Sequence, residues 1–110
     1  MVATRALLFP GDAEDRLGVH LMECRAYEVA ERCFRQAISL NPAEPHFKVH
    51  LAYSLYQQRR YREAAHLLHE VLSVVPGFSP ATRLLGWCAE RLADQSAQQD
   101  TEGGSGAPGG

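Results

Sequence analysis

The sequence predicts an all-α fold in which five antiparallel helices stack in pairs. Three observations support this prediction. A pattern of apolar and small residues returns every 34 residues along the chain without an insertion. Within each segment the apolar residues are three and four positions apart, which is the spacing of one face of an α-helix. A proline follows the second segment of each complete unit, where it prevents the helix from continuing.

The first unit of the pattern covers residues 11–44 and should contain two helices. The first helix begins after Asp12, a residue suited to the N-cap, and runs from about residue 13 to 25. Its apolar positions are Leu17, Leu21 and Cys24. The second helix covers residues 27–40 and ends before Pro42. We expect this helix to bury one stripe of residues, namely Val29, Ala30, Cys33, Phe34, Ala37 and Ile38.

Small residues recur at one position of the pattern. Gly18 lies in mid-helix, where glycine costs up to ~1 kcal/mol relative to alanine. The equivalent positions in the next two units are Ala52 and Gly86. This recurrence predicts that another helix approaches closely at each point. We therefore expect Gly18→Leu to overpack the crossing at a cost of about 1–3 kcal/mol, and Gly18→Ala to be mild.

The second unit covers residues 45–78 and repeats the helix pair. Its helices should cover residues 45–58 and 61–74. Pro45 stands at a tolerated position in the first turn of one helix, and Pro76 stops the other.

The third unit supplies only one helix, predicted over residues 79–93, which caps the array. Residues 94–110 contain no large apolar residue and end in a glycine-rich run, so we expect a disordered tail there. Residues 1–10 form an N-terminal extension, in which a short helical turn ends before Pro10 and Gly11.

Composition excludes several classes of function. The formal net charge is -2 and no strongly basic face is expected, which argues against nucleic acid as the main partner. The three cysteines form no C-x-x-C pair, and this usage suits a reducing compartment. The apolar run at residues 6–9 is too short for the core of a signal peptide, and no stretch approaches ~20 apolar residues. These features predict a cytoplasmic protein.

The repeating pattern resembles that of the tetratricopeptide repeat (TPR) family over residues 11–93. The residues that carry the resemblance in the first unit are Leu17, Gly18, Leu21, Tyr27, Ala30, Phe34, Ala37 and Pro42. In the second unit they are Leu51, Ala52, Leu55, Tyr61, Ala64, Leu68, Val71 and Pro76, and in the third Leu85, Gly86 and Ala89. The resemblance implies a right-handed superhelix of helix pairs. It also implies a non-enzymatic protein–protein interaction module that binds a peptide or an amphipathic helix in a concave groove.

Two columns of residues match positions that line the groove in TPR proteins. The first column comprises Val19, Tyr53 and Trp87, one from the first helix of each unit, and the second comprises Met22, Tyr56 and Glu90. His46, Val49 and Arg83 are expected at the margin. Exposed aromatic and methionine side chains are common at interfaces, which favours a partner-facing strip. The alternative is that these side chains are partly buried packing residues.

Some TPR proteins hold the terminal carboxylates of a peptide with lysines and asparagines in the groove. The matching positions in this sequence are occupied by Asp15, Val19, His50, Pro80 and Leu84. None of them is lysine, arginine or asparagine. The resemblance therefore implies a partner that is recognised through apolar contacts and not through its terminal carboxylates.

Candidate catalytic and metal-binding residues are few. His46 and His50 are four residues apart on one helix face, and no H-E-x-x-H motif accompanies them. His20 and Cys24 have the same spacing, but a cysteine in mid-helix lacks free backbone N–H groups for an oxyanion hole. We expect solvated histidines, packed cysteines, no cofactor and no enzymatic activity.

Two further interpretations of function stay open. The chain could be a dedicated secretion or assembly chaperone for an aggregation-prone helical client, or a structural homo-oligomer. The last predicted helix bears on the second interpretation, because it lacks the second helix of its own unit. Its face of Leu85, Ala89 and Leu92 predicts a weak homodimer or a docked partner helix.

Overall fold

The computed structural model describes residues 9–106, with side chains described through residue 98. Within this range the chain forms five α-helices and no strand, which confirms the predicted fold class. The helices are α1 (Asp12–Glu23), α2 (Tyr27–Leu40), α3 (Pro45–Gln57), α4 (Tyr61–Val74) and α5 (Ser79–Gly106). The bounds of α2 and α4 are those predicted, because a following proline or a tight turn fixes each end.

The helices form two layers. Each helix packs against the next one in the chain, so α1 pairs with α2 and α3 with α4. The first helices of the three units also lie side by side, with α3 between α1 and α5 and in contact with both. This layer of α1, α3 and α5 brings the predicted groove residues onto one face.

The hydrophobic core is centred on α3, the middle helix of its layer. This helix buries six of its residues, namely Phe47, Val49, Leu51, Ala52, Ser54 and Leu55. The hydroxyl of Ser54 donates a hydrogen bond to the carbonyl oxygen of Leu51 at 2.8 Å, so its burial leaves no polar group unsatisfied. The other helices contribute buried side chains from both sides, among them Phe34, Tyr61, Leu68, Leu84 and Cys88.

The turns inside the two complete units share one geometry. Arg25 and Arg59 occupy equivalent positions and have left-handed backbone angles, with φ of 64° and 66°. In the first turn the N–H of Ala26 donates to the carbonyl oxygen of Leu21 at 2.9 Å, and the same bond recurs in the second turn at 2.9 Å. This bond defines a Schellman motif, which normally places glycine at the left-handed position. The turns were not predicted because arginine gives no such signal.

Several apolar side chains that were predicted to pack lie on the surface. Leu17, Cys24 and Val29 are exposed, and Tyr27 and Cys33 are half-buried. Helical spacing identified the face on which each side chain lies, but α1 and α2 form one end of the array. In the part of the chain that the structure describes, no further helix covers their outer side.

The start of α1 differs by one residue from the prediction. Gly11 occupies the N-cap with φ of 90°, and Asp12 is the first helical residue. The carboxylate of Asp12 accepts a hydrogen bond from the N–H of Phe9 at 3.1 Å. The rest of the helical turn that was predicted over residues 1–10 lies outside the described residues.

The last helix continues to Gly106, so the prediction that it fades near Ala93 and gives way to a disordered tail was wrong over this range. Ala93 and Gln95 take the places that Arg25 and Tyr27 hold in the first unit. If the chain turned at Ala93, Gln95 would stand where a tyrosine packs in the complete units, so the turn would bury no tyrosine. If the helix continues instead, each further residue adds one backbone hydrogen bond. The tail predicted over residues 107–110 lies beyond the described part.

The close approach predicted at Gly18 is present. A Cβ atom at this residue would lie 2.7 Å from Cδ1 of the Phe34 ring, which α2 contributes. The structure therefore predicts a larger cost for Gly18→Ala than the sequence did, since even a methyl group requires the Phe34 ring to move. A Cβ atom at Gly86 would meet no described atom beyond its own turn of α5 within 4 Å, because the described part of the chain contains no second helix of this unit.

Candidate protein-binding groove

A concave cavity of about 300 Å³ lies between α1 and α3. It forms there because the two helices lie side by side in one layer, and each contributes the side chains that were predicted to face the groove. The cavity is lined by Val19, Met22, Glu23, Phe34, His50 and Tyr53. The structure thus brings together Val19, Met22 and Tyr53 from the two predicted columns.

An aromatic cluster continues the groove from the cavity toward α5. The rings of Tyr53 and Tyr56 are parallel to within 9°, with centroids 6.3 Å apart. The ring of Tyr56 also lies 6.1 Å from Trp87 and 5.2 Å from Tyr61. The Nε–H of Arg91 donates to the hydroxyl of Tyr56 at 3.2 Å. These contacts hold the aromatic side chains of three helices in one continuous surface.

The two outer aromatic residues of this surface are accessible to a partner. Tyr53 is 38% exposed and Trp87 is 42% exposed, whereas Tyr61 beneath them is buried. A core aromatic residue would be covered on all sides, as Phe34 is. Tyr53 and Trp87 therefore pack against neighbours on one side and offer the other side to solvent.

A polar contact joins α1 and α3 beside the cavity. Nδ1 of His50 lies 2.7 Å from Oδ1 of Asp15, and both side chains are half-buried. The carboxylate fixes the imidazole ring, which packs 5.5 Å from the Phe34 ring. Asp15 and Glu23 thus provide two acidic groups at the α1 side of the groove.

His46, which lies one turn before His50 on α3, has its own carboxylate partner. Nδ1 of His46 lies 2.7 Å from Glu44, and the rings of His46 and His50 are 6.5 Å apart. The hydrogen bond from the backbone N–H of His46 lowers the pKa of Glu44. Among the residues that the structure describes, no three His, Cys, Asp or Glu side chains are placed to hold a metal ion.

The remaining predicted residues occupy different surroundings. His46 is exposed and packs edge-on against Phe78, with ring centroids 4.9 Å apart, so it lies at the margin as expected. Val49 is only 8% exposed and belongs to the core, which makes its predicted place at the groove margin wrong. Its helix has neighbours on both sides, and these cover a position that would be open on an end helix. Arg83 is exposed on α5.

The residues predicted for an oligomer face lie on α5. Ala89 is exposed, and Leu85 and Leu92 are half-buried. Cys88 lies between the two leucines on the side of α5 that faces the core, and burial there raises the pKa of its thiol.

Sequence reasoning missed Glu23 as a residue that lines the cavity, and it considered His50 only as a position of a carboxylate clamp. Phe34 also borders the cavity, but it is fully buried, in agreement with its predicted place in the core. Asp15 and His50 are 35 residues apart, one more than the repeat period. That spacing is the signal that could have revealed their contact, since it places them on neighbouring first helices.

His20 and Cys24 lie on the exposed surface of α1. Sγ of Cys24 lies 4.0 Å from Nε2 of His20, and both residues are exposed. Cys24 is the C-cap of α1 rather than a mid-helix residue, and it lies outside the cavity.

None of the described helices is both long enough and apolar enough to cross a membrane.

Comparison with known families agrees with this architecture. The family model for the tetratricopeptide repeat matches the chain twice, over residues 16–61 and 49–97. Comparisons with curated proteins and with solved structures gave no match. The two matched ranges run from residue 16, within α1, to residue 97, within α5. Such repeats indicate a protein–protein interaction module in general. The chain belongs to the tetratricopeptide repeat family.

Proposed function

We propose that the groove binds a segment of a partner protein, either an amphipathic helix or an extended apolar peptide. The observation that carries this proposal is the cavity between α1 and α3, which is continuous with the half-exposed rings of Tyr53 and Trp87. Aromatic residues that are rigidly packed on one side and open on the other make effective anchors, because binding fixes few additional rotatable bonds. Helix-in-groove recognition uses such a surface.

The cavity suits one large apolar side chain of the partner. Its volume of about 300 Å³ accommodates leucine, methionine or phenylalanine, and Val19, Met22 and Tyr53 supply apolar walls. The carboxylates of Asp15 and Glu23 lie beside it. A basic residue next to the anchor would therefore find a favourable partner at this end of the groove.

The opposite end of the groove carries charges of both signs. Arg91 contacts Tyr56, and Arg83 lies one turn before Trp87 on the same helix, but the exposed Glu90 lies between these two arginines. The clearer charge preference is therefore at the acidic α1 end. A bound helix would accordingly direct its positive N-terminus toward α1.

Truncation of Tyr53 tests the proposal. The partner is first recovered on the immobilised chain and then purified, so that affinity is measured with two defined components. Tyr53→Ala should weaken binding by ~2 kcal/mol or more if the ring is an anchor. Its stability should fall much less than that of Phe34→Ala, for which we expect a loss of roughly 3–5 kcal/mol.

Val74→Ala serves as the matched surface control, because this exposed residue of α4 lies outside the groove. It should bind the partner as the parent does. Equal losses of affinity for Tyr53→Ala and Val74→Ala would contradict the proposal. So would equal destabilisation by Tyr53→Ala and Phe34→Ala, since the strip would then be core.

The fluorescence of Trp87, the one tryptophan of the chain, reports on the site directly. Because this residue is half-exposed, its emission should lie toward the red in the free protein and shift to the blue when a partner covers it. An emission that does not change at a saturating concentration of the partner would mean that the partner binds away from Trp87.

The chaperone role uses the same strip and stays a prediction. Co-expression tests it, because a client would become soluble only with this chain present.

A further inference from the structure

The cavity between α1 and α3 presents mainly hydrogen-bond acceptors to its ligand. Three of its lining residues carry polar side-chain groups, namely Glu23, His50 and Tyr53. The carboxylate of Glu23 can only accept when it is ionised, and the hydroxyl of Tyr53 can accept as well as donate. The role of His50 depends on which ring nitrogen carries the proton. The surroundings of that ring therefore decide what the cavity recognises.

Asp15 determines which nitrogen of the His50 ring is protonated. Oδ1 of Asp15 lies 2.7 Å from Nδ1 of His50. Because an ionised carboxylate has no proton to give, Nδ1 must be the donor in this hydrogen bond. The neutral ring then has a lone pair on Nε2, which makes that nitrogen an acceptor. Asp15 is thus a positioning residue that prepares His50 to accept a hydrogen bond.

The Nε2 atom of His50 is open to a ligand. No described residue forms a hydrogen bond with it, and the described part of the chain contains no buried side-chain nitrogen or oxygen that lacks a partner. Nε2 must therefore be accessible, in agreement with a side chain that is 36% exposed and borders the cavity. A bound segment that covered this wall without a donor would leave Nε2 unsatisfied, which weakens binding.

The charge around the cavity is negative. Helix α1 carries one arginine and four acidic residues, namely Asp12, Glu14, Asp15 and Glu23. The one lysine of α3, Lys48, lies 3.8 Å from Glu70 and does not line the cavity. An uncharged donor would satisfy Nε2 of His50, but only a cationic donor also gains from the nearby carboxylates.

We propose that the partner carries an arginine next to its apolar anchor, and that the guanidinium closes the mouth of the cavity between Glu23 and His50. This inference rests on the proposed function of the groove and names the basic residue expected there. A guanidinium has several N–H donors in one plane, so it can donate to Glu23 and to Nε2 of His50 together. Its flat face can stack on the Tyr53 ring, whereas the ammonium group of lysine is a compact, strongly hydrated charge. The aliphatic stem of the arginine lies against Val19 and Met22.

A series of blocked dipeptides tests this choice on the parent chain. N-acetyl-leucyl-arginine amide is compared with analogues in which lysine, citrulline or norleucine replaces arginine. Citrulline retains the shape of the arginine side chain without its charge, and norleucine retains only the stem. Binding is followed by NMR through the methyl signal of Met22, which lines the cavity. The arginine peptide should bind about tenfold more tightly than the citrulline and norleucine peptides, and about threefold more tightly than the lysine peptide.

Two variants with matched controls locate the contact. Glu23→Gln and His50→Phe should each weaken binding of the arginine peptide about fivefold or more, and neither should weaken binding of the norleucine peptide. Glu14→Gln removes the same charge from α1, and His46→Phe replaces the neighbouring histidine of α3, but neither residue lines the cavity. Both controls should bind the arginine peptide as the parent does. Circular dichroism confirms that each variant is folded.

The role of Asp15 is measured on the imidazole itself. Long-range ¹H–¹⁵N correlation spectra at about pH 8, above the ordinary titration range of imidazole, should show the proton of His50 on Nδ1. Asp15→Ala should give a mixture of the two tautomers and a smaller preference for the arginine peptide. A parent chain with the proton on Nε2 would overturn the inference.

The peptide series separates failure of this inference from failure of the groove. If the norleucine or lysine peptide shifted the Met22 signal with the same affinity as the arginine peptide, the choice of arginine would be overturned and the groove would stand. An arginine preference that survives in Glu23→Gln and His50→Phe would overturn it as well. If no peptide shifted the Met22 signal, the inference would fail, and the Tyr53→Ala comparison would decide separately on the groove.

Discussion

Helices α1 and α3 carry the same positions of the repeat, yet they differ sharply in burial. Leu17 of α1 is 52% exposed, whereas Leu51, its equivalent in α3, is 1% exposed. Leu21 is half-buried and its equivalent Leu55 is fully buried. The repeat determines which way a side chain points, and the number of neighbouring helices determines how much of it is covered. The stability of the domain should therefore be concentrated in α3.

The largest expected effect is the difference between two equivalent leucines. Leu55→Ala should lower the free energy of unfolding by about 2–5 kcal/mol, because it leaves a cavity in a core that is closed on both sides. Leu21→Ala should cost less than half as much, since part of the side chain already contacts water. Urea denaturation measures both variants. Equal losses would show that α1 is covered as completely as α3.

The next effect contrasts two equivalent glycines. Gly18→Ala should lower the free energy of unfolding by about 1–3 kcal/mol, because the new methyl group overlaps the Phe34 ring. Gly86→Ala should instead raise it by up to ~1 kcal/mol, since alanine favours a helix and nothing obstructs the methyl group. Both are measured by urea denaturation at one and the same protein concentration. The same sign for the two variants would contradict the difference in packing.

The junctions between units differ in their chemistry as well. Glu31 of α2 accepts hydrogen bonds from Gln58 at 3.0 Å, from Arg60 at 2.8 Å and from Arg35 at 2.9 Å. Burial raises the pKa of Glu31, but hydrogen bonds from Gln58, Arg35 and Arg60 outweigh it and hold this pKa below its usual range. At the next junction Ala65 takes the place of Glu31, so the contact of α4 with α5 lacks this network.

The smallest expected effect is the pH dependence of this network. Because the pKa of Glu31 is lower in the folded chain, its contribution is complete above roughly pH 4.3, the ordinary glutamate value. That contribution is lost as the pH falls through the folded pKa. Glu31→Gln should be less stable than the parent by about 1 kcal/mol near neutral pH, and the difference should shrink in acid.

Glu63→Gln is the matched control for this effect. Glu63 also pairs with Arg60, at 2.6 Å, but it is exposed and belongs to the same helix turn. Its replacement should change stability by only a few tenths of a kcal/mol. A difference between Glu31→Gln and the parent that does not change between neutral and acid pH would show that the charge of Glu31 has no part in it.

The repeat pattern predicted the fold and much of the candidate groove, because both depend on spacing along the chain. Pro42 and Pro76 mark helix ends through local sterics, and Val19 and Tyr53 follow from the 34-residue period. The rest depends on neighbours that a one-dimensional pattern does not contain. Val49 is buried because α3 is a middle helix, and the contact of Asp15 with His50 exists only once two helices lie side by side.

The length of α5 was also not predictable from the repeat pattern. Residues 94–102 contain neither glycine nor proline, so no local signal ends the helix where the repeat would turn. The predicted end near Ala93 rests on the loss of apolar residues. Loss of apolar residues removes tertiary contacts, but it does not by itself break the hydrogen bonds within a helix.

The left-handed arginines at the two turns have a consequence for the thermodynamics of recognition. Their nearly identical angles, 64° and 66°, give both helix pairs the same internal geometry, and each is fixed by hydrogen bonds within the turn itself. The geometry of each helix pair is thus built locally and does not depend on a ligand. A partner segment that enters the groove would have to order its own backbone, but not that of its receptor. The entropic cost of such a complex would then fall almost entirely on the partner.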